Sequence, residues 1–178
     1  MNRFLEEVEK RAFLTARMAT QDVEEALDIV QDAMLALVQK YSERPQAEWG
    51  ALFNSILHNK INDWYRRTQV RNRWRVWLNG FQSNSDGEKV NISEPEEWVE
   101  QTLFPNPEAQ AQLDILGERL LDLIANLPLR QQQALILRAW EGYDIAQTAD
   151  IMQCSKGSVK THYSRAIHSL REKLGDYR

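Results

Sequence analysis

The sequence predicts an all-α protein: two small helical domains joined by a long acidic linker. Three observations carry that reading. Apolar residues recur at three- and four-residue steps near both ends of the chain, and no alternating run is long enough for a strand. Between those ends, Asn79-Gly80, the polar run from Gln82 to Gly87, and Pro95, Pro105 and Pro107 mark an irregular stretch that is also rich in acid around Glu94-Pro95-Glu96-Glu97. The expected boundaries are 1–78, 79–107 for the linker and 108–178.

The first helix is expected over about residues 3–17, with Phe4, Leu5, Val8, Ala12 and Phe13 inward. A second begins at Asp22, an aspartate cap followed three residues later by Glu25. Its expected apolar stripe is Val23, Ala26, Leu27, Val30, Ala33, Met34, Leu37, Val38 and Tyr41, and Ser42 to Pro45 end it. A third covers about 47–67, turning Trp49, Phe53, Ile56, Leu57, Ile61 and Trp64 inward. Helix resumes at about 108–125 and again after Pro128, since proline is tolerated in a first turn. Two short helices then flank a break at Gln153-Cys154-Ser155, which is the spacing of a helix-turn-helix. Ile145, Ala149 and Ile151 pack inward from its first helix, and Val159, Tyr163, Ala166, Leu170 and Leu174 from its second.

Composition narrows the function classes. No apolar run approaches the ~20 residues that span a bilayer, and the N-terminal residues lack the apolar core of a signal peptide, so a cytoplasmic location without membrane contact is expected. Cys154 is the single cysteine, and His58, His162 and His168 are scattered, so neither a metal centre nor a cofactor site is expected. No nucleophile–base pair or phosphate loop stands out; the chain does not read as an enzyme and has no evident small-molecule substrate. The net charge of −4 argues against nucleic acid only until its distribution is seen. Lys60, Arg66, Arg67, Arg71, Arg73 and Arg75 are opposed locally by Asp63 alone, and Lys156, Lys160, Arg165, Arg171, Lys173 and Arg178 face only Glu172 and Asp176. Polyanions respond to local fields within a Debye length of about 8–10 Å, so two basic patches outweigh the sum.

Three polar faces follow from the helical spacing. In the last helix Gly157, Thr161, Ser164, Arg165 and His168 oppose the apolar side, with Lys160 at the edge. Lysine and arginine there suit base edges, and Thr161 and Ser164 suit phosphates or thymine methyls. In the third helix Ser55, Asn59, Asn62 and Arg66 share a face, beside Arg67 and near Trp64, Tyr65, Trp74 and Trp77. Asparagine amides can pair with base edges, and aromatic surfaces hold unstacked bases, so this set suits melted DNA better than duplex. In the second helix Asp28, Gln31, Asp32 and Leu35 lie together. Two carboxylates four residues apart repel, and beside an exposed leucine they suit a basic, partly apolar partner; taken alone, the face reads better as solvated surface.

At this point the residues resemble the extracytoplasmic-function (ECF) sigma factors, the smallest class of bacterial sigma factors. Asp28-Ile29-Val30-Gln31-Asp32 is similar to the family's polymerase-binding element, and residues 52–67, with Asn59, Asp63, Arg66 and Arg67, to its reader of the promoter −10 element. Leu127-Pro128 through Leu174 resembles the region that reads the −35 element. The resemblance implies that Asp28, Val30, Gln31, Asp32 and Leu35 bind core RNA polymerase at the clamp helices of its largest subunit, with the flap as a further contact. It assigns Ser55, Asn59, Asn62, Arg66 and Arg67 to the −10 element and Lys156, Ser158, Lys160, Thr161, Ser164 and Arg165 to the −35 element. Promoter DNA and an anti-sigma factor are then the other expected partners. Gln153 stands where the family's turn usually has glycine, Gln132 replaces a usual arginine, and Gln147-Thr148 a more usual Glu-Ile. The competing reading is a helix-turn-helix repressor or activator that never meets polymerase; it accounts for the C-terminal motif but leaves the Asp28–Asp32 and Asn59–Arg67 faces without a role.

Overall fold

A computed structural model describes residues 1–79, 117 and 119–175, with side chains described for 1–71, 117 and 119–174. The described residues are helical between short turns, with no strand among them. Helix α1 spans Asn2–Thr20 and α2 spans Val23–Tyr41. Between them Gln21 adopts the left-handed conformation (φ 56°), its N–H returning to the Arg17 carbonyl at 2.9 Å. Asp22 caps α2 as its sequence implied, accepting from the Glu25 N–H at 3.0 Å. Helix α3 spans Gln46–Asn79 and so outruns its expected end at Arg67. Residues 68–79 contain neither glycine nor proline, and nothing in them breaks the helix before Gly80.

The core of α1, α2 and α3 centres on Ala16, Ala26, Ala33, Leu37, Phe53, Leu57 and Ile61. Phe4 packs edge-on against Phe53, ring centroids 6.2 Å apart. Two expectations for α2 are corrected here. Val23, Leu27 and Val38 were placed inward and are instead partly exposed, while Ile29 is buried. Val30, expected among the polymerase-contacting residues, is 3% exposed and belongs to the core; it props the outer face from beneath. Alanines at 26 and 33 bring α2 close to its neighbours along one narrow side, which leaves the flank carrying Leu27 and Val38 uncovered.

The second unit begins with α4 (residues 119–125), the described part of the helix expected from 108. Helix α5, Leu129–Leu135, follows Pro128 and passes without interruption into a π-helical turn over Ile136–Trp140, where the Glu141 N–H reaches back to the Ile136 carbonyl at 2.9 Å. Helix α6, Ile145–Met152, and α7, Lys156–Gly175, complete the helix-turn-helix. A reciprocal capping box opens α6: Gln147 N–H donates to Asp144 Oδ1 at 2.8 Å, and Asp144 N–H to Gln147 Oε1 at 2.9 Å. Gln147, one of the departures from the family pattern, therefore does the work a glutamate would. Gln153 holds the turn at φ 52°, left-handed without being glycine, at a cost of about 1 kcal/mol. Ser155 starts α7 by accepting the Ser158 N–H at 3.0 Å.

The two units are in direct contact, with α6 packed on α3. Gln132, fully buried, donates to the carbonyls of both Met18 and Ile124 at 3.1 Å, and Met18 lies in the core formed by Ile124, Leu127, Leu135, Ile136, Ala166 and Leu170. Of the linker expected at 79–107, Asn79 ends α3 and the rest lies outside the described residues.

Candidate nucleic-acid and partner surfaces

The polar face of α7 is where its spacing placed it. Val159, Ala166 and Leu170 are buried, whereas Lys156, Gly157, Lys160, Thr161, Ser164, Arg165 and His168 are exposed. Leu174, expected inward, is 37% exposed because the helix by then runs past its neighbours. Ser158 is half-buried, its hydroxyl 2.9 Å from that of Ser155, so it serves the first turn and offers less to a ligand than Lys160 or Arg165. Thr161 donates its hydroxyl to the Gly157 carbonyl at 3.0 Å, which leaves its oxygen lone pairs and methyl outward. Beneath this face, the Arg138 guanidinium lies 5.9 Å from the Tyr163 ring centroid and bonds the Tyr143 carbonyl, tying the π-helical turn to α7. Burial, then the positive charges of Arg130 and Arg165, lower the pKa of His162, so it stands neutral within a cationic surface. Cys154 is a half-buried free thiol packed against the α6–α7 core; burial pushes its pKa up, with Arg130 pulling the other way.

The polar face of α3 is more encumbered. Ser55 and Asn59 are half-buried and Arg66 and Arg67 exposed, as a binding face requires. Asn62, expected to share that role, accepts a hydrogen bond from Gln133 Nε2 of α5 at 3.0 Å. One turn and two turns earlier lie His58 and Asn54. Asn54 Nδ2 donates to the Tyr143 hydroxyl at 3.1 Å. His58 is fully buried between them, with neither ring nitrogen paired among the described residues. Burial first, and then the Arg130 charge, lower its pKa to about 4. Asn54, His58 and Asn62 thus form a polar stripe at four-residue spacing that receives the second unit. Sequence reasoning missed Asn54 and His58; the signal was three polar residues in step beside the Phe53–Leu57–Ile61 core stripe. Trp64 packs on the core with its indole N–H buried and unpaired among the described residues, and Tyr65 is exposed; the side chains of Arg73, Trp74, Arg75 and Trp77 lie outside the described ones.

On α2, Asp28, Gln31 and Asp32 are exposed and Leu35 is 55% exposed, so those four do share an outward face. Asp32 is paired, accepting from Lys60 Nζ of α3 at 2.8 Å. Asp63 pairs with Arg66 at 2.6 Å on α3 itself. None of the helices among the described residues is long and apolar enough to cross a membrane.

A capped helix-turn-helix with a basic outer face, set on a three-helix unit with a second basic helix, defines a class of DNA-reading transcription proteins. Comparison with known proteins makes the class specific. Residues 117–170 match the family described as Sigma-70, region 4. The chain is 26% identical over 129 residues to the ECF RNA polymerase sigma factor BldN of Streptomyces coelicolor, covering 72% of this chain and 42% of that one, so it spans less than half of that relative. It is 27% identical over 162 residues to the ECF RNA polymerase sigma factor SigM of Mycobacterium tuberculosis, covering 90% of this chain and 69% of the other. Its fold matches that of the sigma factor RpoE of Bartonella quintana, solved in complex with the anti-sigma factor NepR, with a TM-score of 0.62 at 21% identity over the full length of both chains. Residues 117–170 thus match sigma-70 region 4, and over most of its length the chain is similar to ECF sigma factors.

Proposed function

We propose that this protein is an ECF sigma factor that binds core RNA polymerase and directs it to promoters, reading the −10 element with α3 and the −35 element with α7. The observation that carries the reading is the outward face of α7, with Lys160, Thr161, Ser164 and Arg165 exposed over a packed Val159–Ala166–Leu170 seam. Asp28, Gln31, Asp32 and Leu35 are the polymerase-binding set, and Asn59 is the base-capturing residue of α3. Melting costs about 1.4 kcal/mol per base-pair step, and bases captured at about 1–3 kcal/mol each offset it, so no hydrolysis of ATP is required. The chain supplies no catalytic group in this reading; polymerase makes the bonds. The site of action is the cytoplasm, and an anti-sigma factor is a further partner.

The contact between the two units bears on how this works. By name the two promoter elements lie about 25 base pairs apart, some 85 Å along B-DNA at about 3.4 Å per pair. A compact body of about 140 residues has a radius of gyration near 15 Å. The closed arrangement is therefore a resting form, and α6 leaves α3 when both elements are read. Transcription in vitro from fragmented genomic DNA of the source organism, with core polymerase plus and minus the protein, tests the proposal. Discrete new transcripts with shared upstream sequence at both positions are expected. No new transcripts, together with tight binding of the protein alone to duplex DNA, would favour a polymerase-independent repressor instead.

A further inference from the structure

The α2 face assigned to polymerase meets Arg66 and Arg67, the basic end of the α3 face assigned to the promoter, in one cleft. It measures about 930 Å³ and is lined by Glu25, Asp28 and Asp32 of α2 and by Lys60, Arg66 and Arg67 of α3, among others. Two of its cations are held by carboxylates, Lys60 by Asp32 and Arg66 by Asp63. The pairs differ in kind. Asp63 sits on the same helix as Arg66, three residues away, and stays with it whatever binds α2. Asp32 sits on the other helix, in the set proposed to take polymerase.

Resting on that proposed function, we infer that Lys60 is a phosphate-contacting residue of the promoter surface, withheld by Asp32 in the free protein and released when polymerase takes the Asp32 carboxylate. Lys60 lines the same cleft as Arg66 and Arg67, so a strand whose phosphates reach those arginines along the cleft brings a phosphate to it as well. Its ammonium has three donors and no acceptor, and so serves a carboxylate or a phosphate oxygen with the same geometry. The present bond is a short, charge-assisted one at 2.8 Å. Yet the Asp32 and Lys60 side chains are 66% and 31% exposed, and ion pairs in such settings are weakly held and exchange readily. A basic group of polymerase seated on Asp32 would shield it from water and win that exchange. By linkage, DNA on Lys60 strengthens polymerase binding by the same factor that polymerase strengthens DNA binding.

The test is fluorescence anisotropy of a labelled 15-nucleotide single strand of mixed sequence, titrated between 50 and 300 mM KCl. Wild type, Asp32→Asn, Lys60→Met and the double variant are compared free, and wild type and Lys60→Met also in complex with core polymerase. One added phosphate contact steepens the slope of log K against log salt by about 0.7 for a single strand, which is about fivefold in affinity at 0.1 M. Free Asp32→Asn is expected to show that gain, and the double variant to lose it. Lys60→Met is expected to change little in the free protein and to flatten the slope by about 0.7 in the complex. An Asp32→Asn gain that survives in the double variant would overturn the inference, because a lost anion and not a released lysine would explain it; so would no gain at all. Wild type that fails to bind core polymerase would overturn the proposed function along with it, whereas a wild type that binds core but shows no Lys60 dependence overturns the inference alone.

Discussion

The two helices proposed to face DNA differ in how their polar groups are held. On α7 the outward residues bond within their own helix, Ser158 to Ser155, Thr161 to Gly157 and His168 to Glu172, and Lys160 and Arg165 are exposed. On α3 the polar residues are largely engaged: Asn54 with Tyr143, Asn62 with Gln133, Lys60 with Asp32 and Arg66 with Asp63. A surface for duplex DNA can be presented complete, since the duplex already displays its groove edges. A surface for unpaired bases has no ligand until strands separate, and its buried amides must be satisfied meanwhile, at a cost of roughly 1–3 kcal/mol for each left unpaired. The second unit provides that satisfaction.

The strongest way to break the comparison is acid. The His58 pKa falls from an ordinary 6.5 to about 4 in the folded protein, so the unfolded chain takes the proton first. Stability is then fully present above about pH 6.5 and declines as pH falls toward 4, by an amount on the order of a few kcal/mol. Urea midpoints measured from pH 7 to 4.5 should fall steeply for wild type and less for His58→Asn; parallel curves would remove His58 as the cause. Next is Arg165→Ala, which should weaken binding to −35 duplex by about 5- to 150-fold, the 1–3 kcal/mol of a bidentate base contact, without moving the melting temperature. An equal loss on all duplex sequences would reassign Arg165 to phosphate. Ser155→Ala removes the cap of α7 and should cost about 1 kcal/mol of stability, read as a melting temperature lower by several degrees. The smallest effect is expected from Gln133→Leu, about 0.5–1.5 kcal/mol of closure. Faster amide exchange along the Asn54–Asn62 turns of α3, with α7 unchanged, would support the contact; unchanged exchange would count against it.

Much of this was legible in the sequence, and the exceptions share a cause. The inward and outward faces of α7 follow from a period of 3.6 because one side packs and the other meets water. The cap at Asp22 and the break at Gln153-Cys154-Ser155, with Gln153 where a left-handed residue is needed, are local, and local chemistry is what a sequence states most directly. Asn54 and His58 were not recovered because a buried polar residue looks like a surface one until its tertiary partner is known. Leu27 and Val38 were misplaced because an apolar residue on the flank of a stripe is covered only if a neighbour reaches it, and the alanine side of α2 drew the neighbours elsewhere. Val30 belonged to both a core period and a family motif, and packing decided for the core. Asn62 was correctly placed on an outer face but not foreseen as a ligand of Gln133, a residue 71 positions away.

Met18 sits on the first helix yet fills the heart of the second unit, with Gln132 clasping its backbone carbonyl. Cutting the gene in the linker to express the C-terminal half alone would therefore leave an apolar socket open to water where that thioether had been, and a buried glutamine short of an acceptor. Such a fragment should be sticky and less stable than its helices suggest, and a better dissection keeps residues 1–20 or supplies them as a peptide to plug the hole.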